Sequence, residues 1–386
     1  AKSELGIPVL PNQLDADPWL LNCRNGTVDL RTGELRPHRH EDLLTKQVRV
    51  EYDSEASCPT WNEFLAEVMD HKLLLMSYLQ RAVGYALTGD TSEQVLFLLY
   101  GTGANGKSTF LETIKAVLGD YAKQADFATF LARKQDSVRN DVARLVGARF
   151  VSAIEADADR RLSEVMVKAV TGGDTVAARF LYAEFFEFRP QFKLFLAANH
   201  KPIIRGTDTA IWRRMRLVPF AVTIPPERQD KKLLEKLRAE LAGILAWAVR
   251  GCLAWQKYGL DAPKEVEAAT ACYRDEMDVL GGFLDECCVQ SPTLRETAKG
   301  LYQAYTQWCG ANGERPLKQR TFGMRLTERG FQRVRGAQGV HMWRGIGLVT
   351  EVTEDDVYSG KVPYEERNSE FSHQEGHLGA LEVQPF

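Results

Sequence analysis

The chain has 386 residues, 44% of them hydrophobic and 26% charged, with a net charge of −3; the length exceeds one ordinary core and predicts two to four domains of a globular protein rather than a disordered or fibrous chain. No apolar run approaches the roughly 20 residues that span a bilayer and no signal peptide opens the chain, so a cytoplasmic location with no membrane partner is expected. Seven cysteines with no CxxC pair argue against a disulfide framework and against a zinc site.

The first residue is Ala rather than Met, and the chain is read as a piece of a longer polypeptide. Residues 1–90 form the first predicted domain. In "LLNCRNGTVDLRTGEL", Asn25-Gly26 and Thr32-Gly33 are turn signals around a short alternating run, which predicts a small hairpin or meander. From 60 to 87 apolar residues recur at helical spacing, among them Trp61, Phe64, Leu65, Tyr78 and Leu79. A helical, structural or oligomerising domain is expected there.

Residues 91–225 alternate strand-like runs, at 95–100, 150–154, 192–197 and 216–220, with helical patterns. That alternation predicts an α/β domain with a parallel sheet. Pro225-Pro226 marks its end, and 226–290 read as a helical lid or linker with amphipathic helices over 230–255 and 264–283. Residues 291–348 read as a helix over 294–308, a Gly-rich turn, a basic helix in "PLKQRTFGMRLTERG", and strand–turn–strand in "FQRVRGAQGVHMWRG". This is the order of a winged helix, and the segment holds 10 Lys/Arg against 3 Asp/Glu. Residues 349–386 hold 2 against 9 and read as an acidic disordered tail. A second basic stretch, 131–220, holds 16 against 10, so two basic segments are masked in the overall charge.

The strongest chemistry is in "LFLLYGTGANGKSTFLETI". Gly101, Thr102, Gly103, Ala104, Asn105, Gly106, Lys107 and Ser108 fit G-x-x-x-x-G-K-[ST], with Thr109 following. A strand precedes and a helix-forming run follows. The glycines let successive N–H groups turn toward phosphate oxygens, and the helix N-terminus faces the same charge. Lys107 supplies a full positive charge to the β- and γ-phosphates, and the Ser108 hydroxyl suits Mg²⁺. ATP and Mg²⁺ are therefore the expected ligands. An acid is needed as well, and "RFVSAIEAD" delivers Glu155 at the C-terminal end of a strand, with Asp157 two residues on. In "FKLFLAANHKP", Asn199 ends another strand, where it suits either the γ-phosphate and attacking water or a capping role. In "AIWRRMRLVPF", Arg213, Arg214 and Arg216 suit an arginine finger, or salt bridges at a domain surface.

This ordered set, together with "KAVTGGDTVAARFLY", resembles the superfamily 3 helicases, in particular the phage/plasmid and poxvirus primase-helicase group. The resemblance runs from about Trp19 to Leu348. It implies an AAA+ P-loop domain that assembles as a homo-hexameric ring and uses ATP to move along single-stranded or forked DNA, with a primase domain or protein as a further partner. A phage or plasmid protein of this kind would work in the bacterial host cytosol. Carried over by position, Lys107 and Ser108 are the first motif, Glu155 the Mg²⁺-site acid with Asp157 near it, Asn199 the sensor, and Arg213 or Arg214 the finger. The resemblance also implies a pore-facing hairpin between 168 and 188. Arg179, Tyr182 and Lys168 are its candidate DNA contacts, with Ala183-Glu184 as the turn, although Lys168 equally suits the ATP site. An aromatic and a cation on a short ribbon suit a single strand, although "FLYAEFFEF" also reads as core strand. Lys318, Arg320 and Arg325 of the basic helix, with Arg333, Arg335 and Arg344 of the wing, are the duplex or fork contacts.

Two other readings compete with a motor. One is a nucleotide-switched initiator or loader that binds DNA without processive unwinding; the other is a nucleotide kinase, disfavoured by the arginine-rich segments. "DAD" at 15–17 offers two acids but none of the surroundings a primase site needs.

Overall fold

The computed structural model describes residues 9–132, 140–155, 160–205 and 209–349. Asp157 and the acidic segment after Val349 lie outside them. The chain divides into two compact units, Ala1–Asp278 and Val279–Phe386.

The first unit opens with a three-stranded antiparallel meander, β1 (Leu20–Cys23), β2 (Gly26–Asp29) and β3 (Glu34–Arg36). Two helices follow, α1 (Pro59–Val68) and α2 (Leu73–Leu87). Pro59 starts α1 where a missing N–H costs nothing. The predicted alternation of strands and helices then appears: β4 (Leu96–Tyr100), α3 (Lys107–Leu118), β5 (Ala122–Gln124), the short α4 (Asn140–Ala143), β6 (Phe150–Ile154), α5 (Glu164–Thr171), the hairpin β7 (Val176–Ala178) and β8 (Phe186–Phe188), β9 (Lys193–Ala198), the short α6 (Thr209–Trp212) and β10 (Met215–Pro219). Three further helices, α7 (Leu233–Ala239), α8 (Leu241–Tyr258) and α9 (Lys264–Glu276), complete the unit.

Five strands form one sheet in the order β10-β4-β9-β6-β5, every pair parallel. Its central strands β4, β9 and β6 are largely apolar because both faces are covered, whereas edge strand β5 carries the exposed Lys123 and Gln124. Phe97, Leu99, Phe150, Phe195 and Val218 point into one layer with α3, α2 and α8. Their alternates Leu96, Leu98, Val151, Leu194, Leu196 and Leu217 point into the other, with α5 and Tyr273 of α9. Phe195 stacks between Phe97 at 4.6 Å and Phe150 at 4.7 Å. Each fully buried ring contributes roughly 2–3 kcal/mol by area alone.

The predicted segment 1–90 and the first part of 226–290, as far as Val266, share one core with the face of the sheet that carries α3. Gly84 of α2 and Gly251 of α8 permit this: a Cβ at Gly84 would stand 2.0 Å from the Cys252 nitrogen, and one at Gly251 2.1 Å from the Gln80 carbonyl. Gly84→Ala is therefore expected to force the helices apart and destabilise the first unit by about 3 kcal/mol or more. Gly310→Ala, at a helical position with open space around it, should raise the stability of the second unit slightly. Urea midpoints of the two variants check this. Two buried cations tie the end of α2 to the sheet. Arg149 Nη1 donates to the Leu87 carbonyl at 2.8 Å, and Lys193 Nζ donates to those of Thr88, Asp90 and Gln191. Burial holds the Lys193 amine well below its usual range.

The second unit contains α10 (Val279–Cys287), β11 (Cys288–Thr297), α11 (Ala298–Ala311), α12 (Gln319–Glu328), β12 (Gln332–Arg335) and β13 (His341–Leu348). Helix, strand, two helices and a two-stranded wing, on an antiparallel sheet ordered β11-β13-β12, make a winged helix. Phe283, Tyr305, Phe322, Leu326 and Trp343 fill its core. Two expectations are corrected here. The helix expected over 264–283 is two helices, broken at Met277-Asp278, where the units divide. The helix expected over 294–308 begins at Ala298, because Leu294–Thr297 belongs to β11 and Thr297 caps α11 by accepting the Gly300 N–H at 3.0 Å. Pro292 sits in a register shift of that strand and removes its alternation.

Among the described residues no helix is long and apolar enough to cross a membrane.

Candidate nucleotide site

From β4 the chain passes through α3 to the far edge strand β5, then returns one strand at a time through β6 and β9, stepping past β4 to β10. Right-handed crossovers put α3 on one face and the returning connections on the other. The direction reverses at β4 and β9, so their C-terminal ends diverge and leave a crevice. The Gly101–Ser108 loop leaves β4 there, Asn199 leaves β9, and Glu155 leaves β6.

The loop turns through left-handed backbone at Gly103, Ala104 and Gly106, the last with φ 82°. A Cβ at Gly106 would lie 2.6 Å from Val68 Cγ1 and 2.8 Å from Phe64 Cε2, so α1 forms the back wall of the loop. The loop is also held from the other side. The Ile224 N–H donates to the Ala104 carbonyl at 2.8 Å, and Asn105 Nδ2 to that of Phe220 at 3.2 Å.

Lys107, the first residue of α3, is 5% exposed. Its Nζ donates to the Gly101 carbonyl at 2.6 Å, Asn105 Oδ1 at 2.8 Å and Asn199 Oδ1 at 3.0 Å. Burial lowers its pKa to about 8, against the pull of the Glu155 charge in the other direction. Glu155 Oε2 accepts the N–H groups of Asn199 at 3.0 Å and His200 at 2.9 Å. Its Oε1 is buried with no hydrogen-bond partner among the described residues. The fixed half of this carboxylate leaves the other half available for a cation or a water. Ser108 is exposed in the first turn of α3.

Lys107, Glu155 and Asn199 thus come together from three strands. Two contributions escaped sequence reasoning: Asn105 as a brace of Lys107, and the His200 N–H as a clamp on Glu155. Neither leaves a signal in composition or spacing.

Arg213 and Arg214 lie at the opposite end of the sheet. They precede Met215, which pairs with Leu96, the first residue of β4. Arg213 is exposed; Arg214 is 7% exposed, and its Nη1 donates to the Ala210 carbonyl at 2.7 Å. The two acids at 15 and 17 have structural partners, Lys46 at 2.6 Å and Arg31 at 3.0 Å.

Of the candidate DNA contacts, Lys168 is partly buried on α5. The β7–β8 hairpin carries an exposed tip rather than core: Phe180, Leu181, Tyr182 and Phe185 are all exposed, Tyr182 fully. The turn falls at Leu181-Tyr182, where Tyr182 has φ 61° and the Ala183 N–H bonds the Phe180 carbonyl, rather than at Ala183-Glu184. Arg179 lies over the Phe185 ring at 4.6 Å. In the winged helix, Lys318 and Arg320 at the start of α12 and Arg333 and Arg335 on β12 are exposed. Arg325 is paired with Glu328 at 2.9 Å, and Arg344 Nε bonds the Pro292 carbonyl at 3.3 Å.

Family models match three stretches of the chain: D5 N terminal like over residues 1–70, a family of unknown function (DUF5906) over 99–214, and poxvirus D5 protein-like over 275–333. A protein of Acanthamoeba polyphaga mimivirus named "Putative helicase" is 29% identical over 332 residues, covering 79% of this chain and 34% of that protein. One of African swine fever virus named "Putative primase" is 26% identical over 331 residues, covering 78% of this chain and 34% of that protein. The chain spans about a third of the length of these relatives. Among solved structures, the C-terminal region of NrS-1 superposes with a TM-score of 0.51 at 12% identity, covering 86% of this chain and 84% of that one; this shows a shared fold. The resemblance read from the motifs is borne out: the chain carries D5-type segments and is related to the helicase- and primase-named proteins of large DNA viruses.

Proposed function

We propose that this chain is the ATP-driven motor part of a replicative DNA helicase, working as a ring in which ATP is hydrolysed between subunits. The observation that carries the reading is the convergence of Lys107, Glu155 and Asn199 in the crevice at the C-terminal edge of a parallel sheet.

In this reading Lys107 exchanges its carbonyl and amide partners for the β- and γ-phosphate oxygens. The loop N–H groups and the α3 N-terminus hold the rest of the triphosphate. Ser108 and the free Oε1 of Glu155 would hold Mg²⁺, which supplies charge neutralisation on the phosphates when bound. Asn199 orients the γ-phosphate and the attacking water. The start of β10 stands five strand residues, roughly 17 Å at about 3.3 Å per residue, from the loop end of the sheet. An arginine there serves a neighbouring subunit's ATP. Arg213, being exposed, suits that role better than Arg214. The hairpin tip with Arg179 and Tyr182, and the cations Lys318, Arg320, Arg333 and Arg335, are the DNA-facing groups.

The test is ATP turnover with and without single-stranded DNA, together with strand displacement on a forked duplex. Turnover should rise with DNA, and strands should separate. One observation favours a second reading: the exposed cations of the winged helix form part of a compact unit of their own. DNA binding that leaves turnover unchanged, with no strand displacement, would select the nucleotide-switched scaffold instead.

A further inference from the structure

A cleft of about 610 Å³ opens beside edge strand β10, bounded by α6, the start of β10 and α9. That volume lies in the range that holds a nucleotide-sized group. Three guanidinium groups line it, Arg213, Arg216 and Arg274, against the carboxylates Glu267 and Asp275. The chain's own phosphate loop is at the other end of the sheet, so these cations are not part of its own nucleotide site.

The backbone around the cleft is braced from several sides. Trp212 and Tyr273 meet edge to face in the core, with centroids 5.1 Å apart and an 83° interplanar angle. Arg213 directly follows the first ring in sequence and Arg274 the second, so one buried contact fixes the spacing of the backbone that carries the two arginines. Helix α9 is further stitched to the sheet. Thr270 Oγ1 accepts the Leu217 N–H at 3.0 Å, the Tyr273 hydroxyl donates to the Pro202 carbonyl, and Glu276 pairs with Lys201 at 2.6 Å. Arg216 Nη1 donates to the carbonyls of Arg213 at 2.8 Å and Met215 at 2.9 Å, which braces the backbone that carries Arg213. Arg213 and Arg274 both remain exposed.

We propose that this cleft receives the nucleotide-bearing edge of a second copy of the chain, and that Arg274 is a second catalytic cation that touches the neighbour's ATP phosphates beside Arg213. The inference rests on the reading that ATP is hydrolysed between subunits. A triphosphate carries more negative charge than one guanidinium offsets. Cations whose backbone is braced by the fold can meet the charge that develops on the transferred phosphoryl.

The experiment compares Arg274→Ala, Arg274→Lys and Arg213→Ala chains for DNA-stimulated ATP turnover, fluorescent ATP binding and assembly by sedimentation. Arg274→Ala should lose about tenfold or more in kcat while nucleotide binding changes by less than about twofold. Arg274→Lys should recover part of the rate. Mixing Arg274→Ala with Lys107→Ala subunits should also restore turnover, since intact loops then face intact arginines. If Arg274→Ala turns over at the unmodified rate while Arg213→Ala is inactive, the Arg274 inference is overturned and the shared interface stands. If neither variant loses activity, the shared-interface reading fails and takes the inference with it. Loss of assembly in both Arg274 variants overturns the proposal in favour of a packing contact. Loss of labelled ATP from the cleft of a Lys107→Ala chain on adding Arg274→Ala overturns it in favour of a separate site within one subunit.

Discussion

Lys107→Ala is expected to abolish ATP turnover, by at least about a thousandfold, without unfolding the chain. Its Nζ is the only cation supplied from within the phosphate loop, and in phosphoryl transfer the protein contributes mainly by positioning and by stabilising charge. Three acceptors lose a donor in the variant, but Asn105 keeps its Phe220 contact, and a costly buried charge is removed. Melting temperature should therefore move little while fluorescent ATP binding falls sharply. The same lysine predicts a pH dependence. Its folded pKa is lowered to about 8, and phosphate binding needs the protonated form. Affinity is full below that value and is lost as pH rises through it, by about tenfold between pH 7 and pH 9. An affinity flat across that window would show that Lys107 does not titrate there.

Arg213→Ala and Arg214→Ala, adjacent in sequence, are expected to fail in opposite ways. Arg213→Ala should fold normally and lose about a thousandfold or more in turnover, the scale of an arginine finger. Mixing it with Lys107→Ala subunits should bring back activity that neither variant shows alone. Arg214→Ala should keep its turnover per folded molecule and lose about 2–4 kcal/mol of stability. Its buried guanidinium donates to the Ala210 carbonyl, and it lies close enough to Gly172 that a Cβ added there would stand 3.6 Å from Nη2. Thermal melting paired with turnover in mixed assemblies separates the two. A stable, inactive Arg214→Ala chain would reverse the assignment.

How much of this was legible depended on whether the information was local. The phosphate loop could be read because its chemistry is contiguous: a strand, glycines at fixed offsets, Lys107 and Ser108, and a helix. Glu155 and Asn199 could be read because each ends an apolar run, and in a parallel sheet every such end lies at the same edge. The winged helix was visible in element order, although β11 was not, since Pro292 and a register shift erase its alternation.

Local patterning settled an α/β domain with a glycine-rich loop between strand and helix, the delivery of Glu155 and Asn199 to the same sheet edge as that loop, and the basic character of 291–348, because periodicity and turn chemistry act over a few residues. Long-range packing set the rest: α1 backs the glycine-rich loop, α2 and α8 close on one another through Gly84 and Gly251, Arg213 is exposed where Arg214 is buried, and Arg274 lines the same cleft as Arg213. Those outcomes depend on which face of an element meets a partner far away in the chain, and packing between distant segments leaves no periodic trace.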